Sequence, residues 1–582
     1  MNNVKAGTLC ICTRFLFITD MCRKREVDRY LFITGIIVLL ILAVFYRGVM
    51  EEKKKHINLR KTLQEGYGKV NERKWQPGEL ERISFYGKRG NEAMSIDSQT
   101  WNDLDMDEVF KQMAYTGSSL GDDYLYALLH QSGKSVEELK RLEEKIAFYQ
   151  TREKERLDLQ LLFIELGRMK KYSLSQYLDY MEEKKAEGNG KHHLGNILLL
   201  LSPLLMFFSA GIGLSAFFLC LFINVYTYFK NKADMEAYLV SFRYILTMLD
   251  MAERIEKRLD PVWNTDKESL REVISIFQGF RKNSFLLMSR GRMAGQGVEL
   301  ILDYLRMCFH LDMIKFNSML LQLQKDMKQV WKIYELLGEL DSCLAIGAYR
   351  AYLPVYCIPD FWKKKEMDMV EGYHPLLKKA VSNSLHMEKN ILLTGSNASG
   401  KSTFLKTIGL NVLLAQTIHT CTAKNFRLPL CRLYTSLSLK DSLFKQESYY
   451  MAEIKAIKRI LDSAAGGGQV VCMVDEVLRG TNTRERIAAS AQILLKMYRM
   501  GILCLAATHD RELTEILEGE YENYHFQEEL AGGDVKFSYR LKSGRADSSN
   551  AIGLLEELGY GSEVTVGARR MIEEFEKKGE WK

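Results

Sequence analysis

The sequence predicts an α plus α/β chain: an N-terminal membrane anchor, a long helical region carrying a transmembrane hairpin, and a C-terminal α/β domain. Three observations carry this expectation. Two uncharged apolar runs lie at residues 30–46 and 196–229. The 582 residues hold only seven prolines, with none between Pro77 and Pro203 or between Pro261 and Pro354, so both stretches have room for long helices. Beyond residue 390, short apolar runs end in polar residues and lead into helical patterns, as the buried strands of an α/β sheet do.

Taken in order, residues 1–29 are an N-terminal segment. Tyr30 to Tyr46, "YLFITGIIVLLILAVFY", is flanked by arginines, and about 17 residues is the lower limit for a helix that crosses a bilayer. A signal peptide is the alternative, but no small-residue cleavage site follows. Residues 47–100 read as a linker and 101–195 as the first part of a helical domain, where "SVEELKRLEEKIAFYQ" spaces its apolar residues by three and four. The run at 196–229 is long enough for one tilted helix or two short ones, and Pro203, Gly211 and Gly213 could break it. Lysines flank it on both sides (Lys184, Lys185 and Lys191; Lys230 and Lys232), which suits a hairpin with both ends on the cytoplasmic side. A buried helical hairpin in a soluble protein is the alternative. Residues 230–355 resume the helical domain, and 356–582 form the α/β domain.

Composition removes several classes. Eleven cysteines are scattered, with Cys10 and Cys12 the only close pair and no C-x-x-C or H-E-x-x-H; this excludes a disulfide scaffold and a zinc site of those types. The net charge of +7 is modest for the length. Its basic clusters could serve DNA phosphates, anionic lipid or solubility.

The chemistry concentrates after residue 390. Gly395, Gly400, Lys401 and Ser402 fit G-x-x-x-x-G-K-[ST] between an apolar run, Ile391 to Leu393, and a helical pattern. In such a loop backbone N–H groups cradle phosphates, the lysine reaches the β- and γ-phosphates, and the hydroxyl binds Mg²⁺. The nucleotide-binding set is therefore Gly395, Ser396, Asn397, Ala398, Ser399, Gly400, Lys401, Ser402 and Thr403. A second apolar run, Val470 to Val474, ends in Asp475-Glu476. The aspartate can hold Mg²⁺ with Ser402, and the glutamate can orient or deprotonate the attacking water. A third run, "ILCLAATHD", puts His509 at a strand end, where open α/β sheets bind ligands.

These segments resemble the MutS family of ATPases, whose nucleotide domain is related to the ABC class. "TGSNASGKST" is similar to the family's TGPNxxGKST, "DEVLRGTNT" to DEIGRGTST, "ATHDREL" to ATHxxEL, and "QESYYMAEI" (446–454) to the GxSTFMxEM signature. "EGYHPLL" matches the HP motif, and "LGELDSCLAIGAYR" the helix ending in LD-x-x-x-S-x-A. "TGSSLGDDYLYALLHQ" resembles the start of the family's core domain, so the helical region corresponds to a core/lever domain. The similarity spans roughly residues 101–155 and 332–520.

The resemblance implies a homodimeric ATPase using ATP and Mg²⁺. Asn397 and Lys401 would contact phosphate, Ser402 and Asp475 would hold Mg²⁺, and Glu476 would be the catalytic carboxylate. Lys401 and His509 complete the catalytic set, and Ser448 would act in trans. Departures are Ser396 and Ala398 in the loop, Leu478 for the glycine of DEIGRG, Gln446 for the signature glycine and Tyr449 for its threonine. No Phe-x-Glu mismatch wedge occurs ahead of residue 101, and the family's clamp domain has no counterpart. Mismatched-DNA binding and mismatch repair are thus implied by family alone, and mismatch-specific binding is not expected of this chain. The implied location is the cell membrane, multi-pass, with the ATPase domain cytoplasmic. A nucleotide-switched membrane scaffold is the main alternative. An ABC-type transport ATPase fits less well, because no LSGGQ-like signature appears.

Overall fold

The computed structural model describes residues 46–48, 50, 51, 53–88, 96–169, 173–184, 188–284, 287, 296–395, 399–437, 449–478, 482–531, 534–546, 552, 555, 556 and 559–579. Residues 1–66 and 67–582 are separate units. Within the first, 53–66 are helical. Apart from Tyr46, the expected anchor at 30–46 lies outside the described residues.

Residues 67–88 dock on the helical domain rather than behaving as the linker expected over 47–100. Arg73 forks onto Asp122 (2.6 and 2.8 Å) and also reaches Glu79 (2.7 Å), while Trp75 packs on Phe110. A helix over Glu79–Gly87 follows. Docking combines this ion pairing with apolar contacts, Ile83 being buried in the core and Tyr86 stacked on Tyr334.

In the helical domain, α1 (Ser119–His130) and α2 (Val136–Thr151) pack against α7 (Met327–Tyr352). The two family-like segments meet at one buried carboxylate. Asp341 on α7 accepts from Gly117 N (2.9 Å), Ser118 N (2.9 Å) and Ser118 Oγ (2.6 Å). Ser118 in turn caps α1. Gly121 has no alternative here, since a Cβ would lie 2.2 Å from Asp341 Oδ2.

The C-terminal domain is built on a six-stranded sheet in the order β10-β9-β4-β8-β7-β6. These strands are β4 (Asn390–Thr394), β6 (Arg432–Ser436), β7 (Val470–Asp475), β8 (Leu503–Ala507), β9 (Tyr521–Ala531) and β10 (Asp534–Ser543). All neighbours are parallel except β9 and β10. The two-residue period of a strand separates the core into two layers. Ile391, Leu393, Val471, Met473 and Leu505 face the layer beneath α8 (Lys401–Ile418). Leu392, Cys472, Val474 and Ala506 face that of α9 (Tyr449–Ala464) and α10 (Thr483–Arg499). Both faces are covered, which is why these strands read as continuous apolar runs. A smaller sheet, β1-β5-β2-β3, accompanies it: β1 (Asp360–Phe361), β2 (Met367–Gly372) and β3 (Asn383–Met387) come before β4, and β5 (Asn425–Leu428) after it.

Arg350, on the last turn of α7, joins the two domains. Its buried guanidinium donates to Glu143 Oε1 and Oε2 (2.8 and 2.5 Å), Gln150 Oε1 (3.2 Å), Thr420 Oγ1 (2.9 Å) and His419 O (3.0 Å). Burial alone would raise the Glu143 pKa, but hydrogen bonds from Arg350 and His419 bring it below its usual range. That contribution is therefore present at neutral pH and is lost as pH falls through the lowered pKa. Arg350→Ala leaves Glu143 without its main partner and is expected to destabilise the chain by about 3–5 kcal/mol, read by denaturant unfolding.

The apolar run at 196–229 forms a helical hairpin. α3 (Gly190–Leu201) continues into a 3₁₀ turn over Ser202–Phe207, and α4 (Ala210–Glu256) returns. The chain reverses at Phe208–Ser209. Pro203 opens the 3₁₀ turn, whereas Gly211 and Gly213 lie inside α4. Gly213 instead lets the arms close, because its Cβ would sit 2.5 Å from Met206 N and Cγ. Phe207 and Phe208 at the tip are 86% and 89% exposed. Leu194, Leu200, Ile212, Phe218, Leu219 and Phe222 are exposed along the arms. At the base, Asn196 donates to Phe309 O (2.7 Å) and Asn224 to Cys308 O (3.0 Å), so the body grips both arms at the end of α5 (Gln296–Phe309). Among the described residues, Ala210–Lys232 is the one helix long and apolar enough to cross a membrane, with a mean hydropathy of 1.8.

Candidate nucleotide-binding site

β4 ends at Thr394, and the chain re-enters a helix at Lys401 with Gly400 as its N-cap. Two glycines shape the intervening turn. Gly395 (φ 138°) and Gly400 (φ 105°) occupy backbone regions that side chains avoid, and a Cβ on Gly395 would come within 2.9 Å of Phe526 O. The first-turn N–H groups of α8 point toward this turn, which suits an anion.

Register brings three strand ends together, with Leu393 opposite Ala507 and Ala507 opposite Asp475. Lys401 is buried, and its Nζ donates to Gly395 O (2.5 Å) and lies 3.3 Å from His509 Nε2. Ser402 Oγ donates to Asp475 Oδ2. His509 Nε2 lies 2.8 Å from Glu476 Oε1, and Glu476 N donates to Ala507 O (2.9 Å). Glu476 has φ +60° and Leu478 φ +64°. Leu478 thus holds, with a buried side chain, the left-handed conformation that favours the glycine of DEIGRG.

Of the expected residues, Gly395, Gly400, Lys401, Ser402, Asp475, Glu476 and His509 lie around one point. Ser399 is buried beside the turn and Thr403 is on the exposed side of α8. Ser396, Asn397, Ala398 and Ser448 lie outside the described residues. The hydroxyl–carboxylate pair Ser402–Asp475 offers hard oxygen ligands of the kind Mg²⁺ takes when phosphates and water complete its shell, so these residues fit the ion.

A cavity of about 440 Å³ adjoins the turn, lined by His374, Leu377, Asn383, Phe404, Phe526 and Tyr539 among others. His374, of the HP motif, is buried; burial, aided by Lys406, pushes its pKa down to about 4, so the ring is neutral at physiological pH. Among the described residues its buried Nδ1 has no hydrogen-bond partner, leaving a polar atom for an incoming group. Sequence reasoning noticed the HP motif without giving it this position. It missed Asn383 and Tyr539 altogether. Asn383 holds the bulge of β10 through Tyr539 O (3.0 Å) and Leu541 N (2.8 Å), a pairing across some 156 residues.

Residues 391–576 match the family profile described as MutS domain V. The chain is similar to the DNA mismatch repair protein MutS of Aquifex pyrophilus, 30% identical over 264 residues, covering 43% of this chain and 30% of the relative. It is similar also to that of Rickettsia bellii (strain RML369-C), 29% over 293 residues, covering 46% and 33%. Against MutS of Bacillus subtilis (strain 168) the identity is 29% over 259 residues, covering 42% and 29%. The matched part of the chain thus spans about a third of the length of these curated relatives. Residues 391–576 therefore carry a domain V of the MutS type, and the chain is similar to MutS proteins over less than half of its length.

Proposed function

We propose that the chain is a membrane-inserted MutS-like ATPase that hydrolyses ATP to ADP and phosphate and couples turnover to opening and closing of a homodimer. The observation that carries this reading is the convergence of Lys401, Ser402, Asp475, Glu476 and His509 at three adjacent strand ends. Lys401 binds the β- and γ-phosphates against the N-terminus of α8. Ser402 and Asp475 hold Mg²⁺, which when bound neutralises charge on those phosphates. Glu476 orients the attacking water and takes its proton. His509, between Glu476 and Lys401, faces the γ-phosphate, and the cavity at His374 and Tyr539 takes the base. Ser448 of a second copy completes the site. Magnesium-dependent phosphate release by the purified chain tests the reading.

The hairpin is the membrane element. Its second arm from Ala210 to Phe229 measures about 30 Å at 1.5 Å per residue, the thickness of a hydrocarbon core. Both arms leave and re-enter the protein on one side, so the helical domain and the ATPase domain share the cytoplasmic face.

The relatives are named for DNA mismatch repair, and DNA contact is part of the proposal. It rests on Lys/Arg pairing with phosphates. Binding to duplex DNA is therefore expected to weaken steeply between 50 and 200 mM salt, as is typical of phosphate contacts. Mismatched and matched duplexes should bind within about tenfold of each other, or about 1.4 kcal/mol. A fluorescence anisotropy titration at two salt concentrations reads both, and a larger mismatch preference would reveal a base-reading element in this chain.

A further inference from the structure

We propose that Arg486 and Asp510 are a positioning pair that aims His509 at the reacting phosphate. The inference rests on the ATPase reading above. His509 sits just past the end of β8, in a segment tied to the sheet by Thr508 N donating to Leu393 O (2.9 Å). Its side chain is about a third exposed and must hold its ring between Glu476 Oε1 and Lys401 Nζ. The next residue supplies a brace. Asp510 accepts from Arg486 Nε (3.0 Å) and Nη2 (2.6 Å) in a two-pronged contact, while its own N–H donates to Thr508 Oγ1 (3.0 Å). Turn and fork together fix the chain on both sides of His509.

The other end of the fork is equally well anchored. Arg486 lies in the first turn of α10, where Asn482 caps the helix through Arg484 N (3.0 Å) and Arg486 N donates to Asn482 O (2.8 Å). One turn on, Ser490 Oγ donates to Val477 O (2.9 Å), fastening α10 to the chain that follows Glu476. The brace therefore links the segment bearing the catalytic carboxylate to the segment bearing the histidine, and holds the 2.8 Å contact between them. With side chains 25% and 14% exposed, the pair is partly desolvated and two-pronged. Such a pair carries geometric specificity that an exposed single contact does not. The hydrogen bond to Asp510 also raises the Arg486 pKa. Asp510 belongs to a motif noted in the sequence and Arg486 lies three residues past another, yet neither is used by the phosphate, metal or water steps.

Because misplacing a reacting group by about 1 Å costs on the order of 100-fold, Asp510→Asn is expected to lower kcat by about 10- to 100-fold with the KM for ATP unchanged within about twofold. Arg486→Lys keeps the charge but loses the fork and should fall in between. The exchanged pair, Arg486→Asp with Asp510→Arg, should recover much of the loss. The deciding comparison is made in a His509→Ala background, where Asp510→Asn should have little further effect, since a brace acting through His509 has nothing left to position. A loss of the same factor in both backgrounds, or no loss in the wild-type background, would overturn the pair's role. If Asp510→Asn fails to fold, Arg486→Lys in the same two backgrounds gives the same comparison. A wild-type chain that binds ATP without hydrolysing it would instead overturn the ATPase reading, and the pair's role with it.

Discussion

Glu476→Gln protein is expected to bind ATP as tightly as the wild type and to hydrolyse it about 10²- to 10⁴-fold more slowly, the range a positioned general base contributes. The substitution keeps the size of the side chain and a hydrogen-bonding oxygen for His509, which lies 2.8 Å away, but removes the group that accepts a proton from water. Nothing in Lys401, Ser402 or the turn at Gly395 is altered, so binding persists. The trapped protein should then run at twice the protomer mass in detergent when ATP is present, because the closed dimer outlives the measurement. Single-turnover hydrolysis and sizing with and without ATP read the two effects. Equal hydrolysis by both proteins would remove Glu476 from the role of base.

The second large effect concerns the hairpin. Leu214 and Phe218 are half exposed on the apolar arm of α4. An arginine at the centre of a spanning helix is unfavourable by roughly 2.5–3.5 kcal/mol. Leu214→Arg with Phe218→Arg should therefore oppose insertion by about 6 kcal/mol in all. The readout is a single cysteine at Ser209, on the tip, in an otherwise cysteine-free chain. With the native arms an impermeant thiol reagent should label it only from outside the cell. With the two arginines, labelling should move to the cytoplasmic side. Cysteines at Lys140 and Lys325, both exposed on the helical domain, should label only from the cytoplasmic side in either case. Labelling of Lys140→Cys from outside would overturn the topology.

Features whose signal is contiguous were legible in the sequence. Each strand of the site is a run of five or six buried residues ending in its functional group: β4 before Gly395, β7 at Asp475, β8 before His509. The hairpin was legible because 34 uncharged residues leave few alternatives. Features assembled across long separations were not. The cavity beside the turn takes His374 from before β4 and Tyr539 from the β9–β10 hairpin. Arg350 gathers partners from α2 and from the end of α8. Residues 67–88 dock through the Arg73–Asp122 pair and through Trp75 and Tyr86, whose partners Phe110 and Tyr334 lie far along the chain. The strained backbone at Glu476 and Leu478 was hidden for a related reason. At Leu478 a leucine where glycine is favoured gives away the departure but not the conformation.

The most direct test of the central claim is magnesium-dependent phosphate release by the full chain in lipid nanodiscs, run beside Lys401→Ala. The account predicts sustained release by the wild type that stops when Mg²⁺ is chelated, and neither ATP binding nor release by the variant. Release at the same rate by both proteins, or no release by a wild type that has bound ATP, would contradict it.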